Sequence, residues 1–484
     1  MISKSHFIGE HIADIEKNYE FIKELGQGSY GHVYRCQNKE TGNVYACKKM
    51  NKKKIKNKQQ FKTEIDLLRA TDHPNIIKLY DIYEDTSYIY LIMEECNGGE
   101  FFDSLAKRAK EKKMYTEKEC AKIFKQILEA VNYLHAHGVC HRDLKPENIL
   151  FSTLADDSSL KLIDFGLSKV LDGDKGTMKG AVGTTFYMAP EVFTGTYDEK
   201  CDIWACGIIL YIMLCGKPPF YSQDEGELKK KICSMKYNFN YPEFKKVSQD
   251  AIDLIKKILV SPDKRPSAAQ ILNTPWIKEN APNSTGESLK ESWSHVKEYS
   301  KLNLVQKSII NFTAFHLTSK ETKQFVEMFK SLDQNSDGVL SIDEIKKGIE
   351  QCKFGDKGEN IAKIFEEMDV DKNGLINYTE FISALMDYEK IKENQILECF
   401  NSYDTDDSGK ISFKEFCDMI KPQSEEEKED LKELYNRFDT DGDGEINLKE
   451  FKEGFKKKNK YFLNNLYFVN YIVFILSALL NLNV

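Results

Sequence analysis

Four acidic segments recur in phase near the end of the chain. "DQNSDGVLSIDE", "DVDKNGLINYTE", "DTDDSGKISFKE" and "DTDGDGEINLKE" begin at residues 333, 369, 404 and 439. Intervals of 36, 35 and 35 residues make an internal repeat, so this region folds as copies of one unit. Each copy has oxygen-bearing side chains at positions 1, 3 and 5, glycine at 6, an oxygen side chain at 9 and glutamate at 12. Calcium takes about 6 to 8 oxygens, and such a loop supplies them, with glycine at the sharp turn and a bidentate glutamate at its end. One copy has a plain explanation as an acidic turn; four in register do not.

The loops are therefore read as EF-hands. The first binds through Asp333, Asn335, Asp337 and Glu344, with the Val339 carbonyl and with Ser341 acting through water. The second uses Asp369, Asp371, Asn373, the Leu375 carbonyl, Asn377 and Glu380. The third uses Asp404, Asp406, Ser408, the Lys410 carbonyl, Ser412 and Glu415, and the fourth Asp439, Asp441, Asp443, the Glu445 carbonyl, Asn447 and Glu450. Every loop keeps its glycine and its glutamate, so up to four calcium ions are expected. Position 8 is apolar each time (Leu340, Ile376, Ile411, Ile446), which predicts pairing of loops through a short β-bridge into two lobes. Met328, Phe329, Phe365, Met368, Phe381, Phe400, Phe416 and Phe438 flank the loops. In a buffer protein they form closed core, whereas in a sensor some open into a groove.

Charge follows the same division. The whole chain of 484 residues carries −8, but Glu321 to Glu453 holds 35 acidic against 18 basic side chains, a net of −17 that leaves +9 elsewhere. That acidity suits cations and excludes nucleic acid as a partner. Length suggests about three domains. The 12 cysteines never fall as Cys-x-x-Cys, so spacing indicates neither a zinc site nor a disulfide framework. "MISKSHFIGEHIADIEKNYE" has no apolar leader run and no glycine at position 2, so a cytoplasmic setting is expected.

The first 277 residues carry phosphate chemistry. "LGQGSYGHVY" supplies Gly26, Gly28 and Gly31, with Val33 beyond, and glycines so spaced let backbone N–H groups approach phosphates. Alone it also describes a glycine-rich hairpin. Order along the chain strengthens it: "VYACKKM" places Lys48 on the next strand and "FKTEIDLL" places Glu64 on a helix within reach. "HRDLKPENIL", "LIDFGLSK" and "TTFYMAPEV" follow. Phosphoryl transfer needs a carboxylate to orient the attacking hydroxyl, oxygen ligands for Mg²⁺ and a cation near the transferred group. Asp143, Asn148 with Asp164, and Lys145 fit those needs.

On these motifs, residues from about 19 to 277 resemble a eukaryotic protein kinase. The resemblance implies a two-lobed α+β fold with ATP between the lobes. It makes Lys48 the α/β-phosphate contact held by Glu64, Asp143 the catalytic base, and Asn148 and Asp164 the Mg²⁺ ligands. It makes Met93 the gatekeeper and residues Glu94 to Cys96 the hinge that reads adenine through its backbone. Glu191 with Arg265, and Asp202 with Trp204, are expected to be structural. Lysine two residues after Asp143 resembles the Ser/Thr kinases. Glu100 and Glu147 resemble carboxylates that read arginine about three residues before the acceptor, a guanidinium matching a carboxylate fork. The plainer alternative has Glu147 capping its loop and Glu100 serving the ribose. Arg142 meets Gly180 where an activation-loop anion would stand, so Thr177 is the remaining candidate phosphosite.

"KLNLVQKSIINFTAFHL", residues 301 to 317, links the two regions. Leu302, Val305, Ile309, Phe312 and Phe315 recur every three or four residues and predict one apolar helical face. Kinase, junction and four EF-hands together resemble the calcium-dependent protein kinases of plants and apicomplexan protists. The implied organisation is an N-terminal extension (1–18), a protein kinase domain (19–277), an autoinhibitory junction (278–322), an all-α, calmodulin-like four-EF-hand domain (323–458) and a hydrophobic tail (459–484). Within the junction, residues 294 to 318 are the inhibitory candidate. No separate calmodulin is then required, and substrates are basic proteins. From Tyr461 to Val484 there is no charge, and Lys456, Lys457, Lys458 and Lys460 precede it. Three readings stand for this tail: a membrane anchor with the lysines on the cytosolic side, a translated noncoding stretch, or a packed or partner-binding helix.

Overall fold

The computed structural model describes residues 7–12, 14–27, 31–155, 158–170, 178–179, 183–282, 287–351, 360–406, 408–422 and 424–456. Gly28, Thr177, Gly180 and the tail lie outside them. Among the described residues no helix is long and apolar enough to cross a membrane.

The first lobe is a six-stranded sheet in the order β1-β5-β6-β4-β3-β2, built from β1 (Gly9–His11), β2 (Tyr19–Gln27), β3 (Gly31–Asn38), β4 (Val44–Asn51), β5 (Leu79–Glu84) and β6 (Tyr88–Met93). Helix α1 (Lys58–Ala70), capped by Asn57, connects β4 to β5. Strand β1 falls in the N-terminal extension and pairs parallel with β5, covering what would otherwise be an open sheet edge.

The second lobe is mainly helical: α2 (Phe101–Lys110), α3 (Glu117–Ala136), α4 (Pro190–Thr194), α5 (Lys200–Cys215), α6 (Glu225–Ser234), α7 (Gln249–Ile258), α8 (Ala268–Leu272) and α9 (Pro275–Asn280). Short strands β7 (Val139–Cys140), β8 (Ile149–Phe151), β9 (Leu160–Leu162), β10 (Lys169–Val170), β11 (Met178–Lys179) and β12 (Thr196–Tyr197) frame the cleft side. The sequence of α5, "KCDIWACGIILYIMLC", is apolar all round, which is why it becomes the buried axis of this lobe. A Thr116–Glu119 capping box starts α3.

The remainder contains α10 (Glu287–Tyr299), α11 (Leu304–His316), α12 (Ser319–Leu332), α13 (Ile342–Gln351), α14 (Ile361–Met368), α15 (Tyr378–Leu385), α16 (Glu393–Tyr403), β13 (Lys410–Ser412), α17 (Phe413–Ile420), α18 (Glu425–Phe438), β14 (Glu445–Asn447) and α19 (Leu448–Lys456). Leu340 and Ile376 exchange two 2.8 Å backbone hydrogen bonds, and Ile411 faces Ile446 across β13 and β14, so the loops pair at their apolar position 8.

The junction departs from the expected single stripe. Leu302 lies before the Asn303 cap of α11, and Val305 through Phe315 are all buried, polar residues included. Helix α11 packs against α15, α16 and α19, so the EF-hand lobes close round it. Ser308 meets the Tyr403 hydroxyl at 2.6 Å, Asn311 Nδ2 donates to the Tyr299 hydroxyl at 3.2 Å, and Gln306 donates to the Phe455 carbonyl at 3.2 Å, while Asn311 Oδ1 is buried without a hydrogen-bond partner among the described residues.

Candidate active site and calcium loops

Lys48 stands on β4 between Val33 of β3 and Leu91 of β6, and this register aims its ammonium at α1. Its Nζ lies 2.9 Å from Glu64 Oε1. Gly26 pairs with Val33, and a Cβ there would meet open space. Gly31 answers to packing instead, since a Cβ would collide with the Lys49 carbonyl.

Beyond the hinge, Asp143 is held from several sides. Lys145 Nζ donates to its Oδ2 at 2.7 Å, and the Asn148 amide donates to its carbonyl at 2.8 Å. Thr184 donates to Asp143 Oδ1 from both its backbone N–H and its hydroxyl, each at 2.9 Å, and its hydroxyl oxygen lies 2.9 Å from Lys145 Nζ. Thr184, the first residue of "TTFYMAPEV", is a site residue beyond those expected from the sequence, and its place at the head of that motif is the one local signal for it. Burial alone would raise the Asp164 carboxyl, yet the Lys48 charge and the Gly166 N–H at 3.0 Å hold it below its ordinary range. It is therefore an anionic oxygen donor suited to Mg²⁺, with Asn148 beside Asp143 as the second. Arg142 and Asp164 both adopt φ of +67°, a strained conformation for non-glycine residues that local hydrogen bonds maintain. Phe165 is buried with its ring 5.4 Å from that of His141.

The expected structural residues stand where the resemblance implies. Asp202 accepts the backbone N–H groups of His141 and Arg142, each at 2.9 Å, and Arg265 forks onto Glu191 at 2.5 and 3.2 Å. Trp204 is buried and stacks on Phe220. Arg142 Nε donates to the Leu167 carbonyl. At the hinge, the Glu94 side chain is turned away from any nucleotide role: it pairs with Lys161 at 2.8 Å and accepts from Ser319 at the start of α12. Burial opposes ionisation of Glu94, but Lys161 and Lys78 hold its carboxyl low. The Glu94 side chain is thus committed to the protein, which leaves its backbone for the hinge role that the resemblance implies. Glu100 is pushed up by burial and by the negative charges of Asp103 and Glu147, and Glu147 Oε2 is buried without a hydrogen-bond partner among the described residues. A cationic group placed between them would relieve that repulsion.

The loops show the same need. Three carboxylates converge in each of three loops: Asp369, Asp371 and Glu380; Asp404, Asp406 and Glu415; Asp439, Asp441 and Glu450. The first loop has Asn335 at the matching position, so its carboxylates are Asp333, Asp337 and Glu344. Burial and Asp337 push Asp333 up to about 8, and its Oδ1 is buried without a partner among the described residues. Burial and Asp369 push Asp371 up to about 6. A divalent cation relieves this repulsion, so these residues fit calcium. Each terminal glutamate spans its loop; Glu415 accepts from the Thr405 and Ser412 N–H groups at 2.8 and 2.9 Å. Lys410 of the third loop reaches Asp443 and Glu445 of the fourth, so an ion there must displace this pair.

A protein kinase domain model matches residues 19–277, and an EF-hand domain pair model matches residues 322–386 and 393–456. Calcium-dependent protein kinase 4 of Plasmodium berghei is 39% identical over 415 residues, covering 81% of this chain and 77% of that protein. Calcium-dependent protein kinase 14 of Arabidopsis thaliana is 38% identical over 392 residues, covering 80% and 73%. This chain belongs to the calcium-dependent protein kinase family. It is a Ser/Thr kinase with its calcium sensor in the same polypeptide.

In this calcium-dependent kinase the sensor grips the kinase domain directly. The Asn132 amide on α3 donates to the Asn335 and Ser336 carbonyls of the first calcium loop, at 3.3 and 2.5 Å. Asp72 accepts the Thr379 N–H at the start of α15 at 2.9 Å, and Lys330 of α12 reaches Asn75 and Glu129 at 2.8 and 2.6 Å. Asn43 and Tyr45 of the first lobe bind Glu398 of α16. Among the described residues, α11 makes no hydrogen bond or ion pair with Asp143, Lys145, Asn148 or Asp164.

Proposed function

We propose that the chain transfers the γ-phosphoryl group of Mg²⁺-bound ATP to Ser and Thr hydroxyls of basic proteins, and that calcium on its four loops withdraws an inhibitory junction. In this reading Lys48, held by Glu64, binds the α/β-phosphates, while Asn148 and Asp164 hold Mg²⁺. Asp143 orients the acceptor hydroxyl and Lys145 steadies the charge developing on the phosphoryl group. The ion supplies charge neutralisation at the phosphates. Glu100 and Glu147 receive an arginine about three residues before the acceptor. The observation that carries the reading is an assembled cleft, with Lys48 on Glu64 and Phe165 packed beside His141, while α11 is enclosed by the EF-hand lobes. The hydrophobic tail is proposed as a membrane contact, tested by carbonate extraction.

The direct test is phosphorylation of a serine peptide with and without the upstream arginine, in calcium or chelator, beside Asp164→Ala. Activity only with calcium and arginine, and absent from the variant, is expected; equal rates on both peptides remove the arginine assignment. Truncation after Ile277 separates two ways of coupling. Calcium-independent activity supports inhibition by the junction. A folded but inactive truncation favours a second reading, in which the grip on Asp72, Asn132 and Tyr45 braces the kinase domain into its working form.

A further inference from the structure

Two cysteines 61 residues apart in sequence meet beside the catalytic loop. Cys140 ends β7, just before His141, and Cys201 lies in the first turn of α5, just before Asp202. Their Sγ atoms are 3.6 Å apart. Cys140 Sγ is 3.3 Å from Asp202 Oδ2, and Cys201 Sγ is 4.0 Å from Asp202 Oδ1. A tetrahedral centre with metal–sulfur bonds near 2.3 Å and a metal–oxygen bond near 2.0 Å has edges of about 3.8 Å (S to S) and about 3.5 Å (S to O). The cluster already stands within a few tenths of an ångström of the S–S edge and of the Cys140 S–O edge.

Two small apolar thiols packed in a core would account for the sulfur contact alone. Asp202 is accounted for by the backbone N–H groups it holds; what sulfur packing alone does not provide is three ligand atoms, two sulfurs and a carboxylate oxygen, within 4.8 Å of one another. A cavity of about 20 Å³, enough for one water or one ion, has Cys201 and Asp202 in its wall together with Arg142, Asp143 and Tyr197. It reaches Cys201 and Asp202 from the catalytic loop, while Cys140 stands outside its wall.

We infer that Cys140, Cys201 and Asp202 form an inhibitory site for a soft divalent cation of the zinc class. Thiolates select soft metals, whereas the all-oxygen calcium loops select hard ones, so the chain sorts two kinds of ion by ligand chemistry. Binding releases the two thiol protons to solvent and leaves two thiolates and one carboxylate on the metal. Asp202 Oδ2 currently accepts the His141 N–H and lies 2.9 Å from His135 Nε2. A metal drawing on that oxygen competes with the bonds that fix the catalytic loop, and Asp143 loses its placement. The inhibition rests on the kinase reading above; the binding does not.

The test uses the full chain with saturating calcium, titrated with Cd²⁺ as a spectroscopic probe and with buffered Zn²⁺. We expect a thiolate-to-cadmium charge-transfer band that saturates at two thiolates per ion, and a parallel loss of peptide phosphorylation of at least tenfold that dithiothreitol reverses. Cys201→Ala and Cys140→Ser should each keep calcium-dependent activity while losing both the band and the inhibition. Either variant suffices if the other fails to fold. A band of unchanged size in both variants places the metal on other cysteines and overturns the site. Inhibition without any band puts the ion on oxygen ligands and overturns it equally. If the chain phosphorylates nothing, the band still decides the binding, so failure of the site and failure of the kinase reading are told apart.

Discussion

Thr184 shows what one hydroxyl does in this cleft. It meets Asp143 and Lys145 together, and its backbone N–H holds the same carboxylate, so it fixes the base and the cation against each other. Thr184→Ala keeps the N–H but removes the hydroxyl. A hydrogen bond to a charged group contributes about 1.5–3 kcal/mol, which corresponds to a kcat lower by roughly 10- to 100-fold. KM for ATP should hardly move, because Lys48 and the glycine loop are untouched, and Thr184→Ser should recover most of the rate. A loss confined to KM would place Thr184 in nucleotide binding instead. Asp143, Lys145 and Asn148 were legible because they fall within six consecutive residues whose chemistry is visible at a glance. Thr184 was not, since its bond to Asp143 spans 41 positions. The Glu94 side chain's partners were hidden for a related reason, since Lys161 and Ser319 come from two distant elements.

Among elements, α11 was legible as a helix but not in its surroundings. Three apolar turns predict one buried face, and burial all round requires neighbours that no local pattern reveals. One neighbour is the N-terminal extension, where Phe7 sets its ring 5.7 Å from Phe312 and 6.2 Å from Phe315 while β1 zips onto β5. Phe7 is only 3% exposed, and truncating a buried phenylalanine costs about 3–5 kcal/mol. Phe7→Ala should speed amide exchange in β1, in the β5 edge and along α11, with α5 unchanged; unaltered exchange would show the strand docks without it. His316, on the same helix, sets a pH window. It is partly buried, stacked between Tyr80 and Phe312 at ring distances of 5.0 and 4.1 Å. Burial lowers its pKa, outweighing the opposing pull of Glu398 and Asp81 and acting with the nearby Lys78. The unfolded state then binds the proton more readily, so stability rises with pH and is lost below about 6.5, the unperturbed value. With saturating calcium, which keeps the raised loop carboxylates Asp333 and Asp371 ionised, Tm should fall between pH 7.5 and 5.5, and His316→Phe should flatten part of that slope; His73 and His141, also buried with lowered pKa, add to it. Carboxylates held low by their partners, such as Asp202, act only at more acid pH.

At the level of the whole molecule, both the repeat of four loops and the kinase motifs were visible, but how the two regions meet was not. Asn132 and Ser336 are 204 residues apart, and nothing near either announces the other. Two glycines at equivalent positions of neighbouring loops isolate this contact. Gly338 and Gly374 both sit at the sharp turn, with φ of +80° and +84°, so alanine strains the backbone of each by a similar amount, on the order of 1 kcal/mol. Beyond Gly374 a Cβ would meet open space, whereas beyond Gly338 it would run into the rings of Tyr133 and His73 in the kinase domain. Both substitutions should weaken calcium binding at their own loops alike. Only Gly338→Ala should also push the first loop off α3, visible as faster amide exchange in α3 and as a larger rise in the calcium needed for half-maximal activity, by about tenfold if one to two kcal/mol of docking is lost. Equal responses from the two variants would mean that the grip on α3 contributes nothing to coupling and that calcium acts on the kinase through the junction alone.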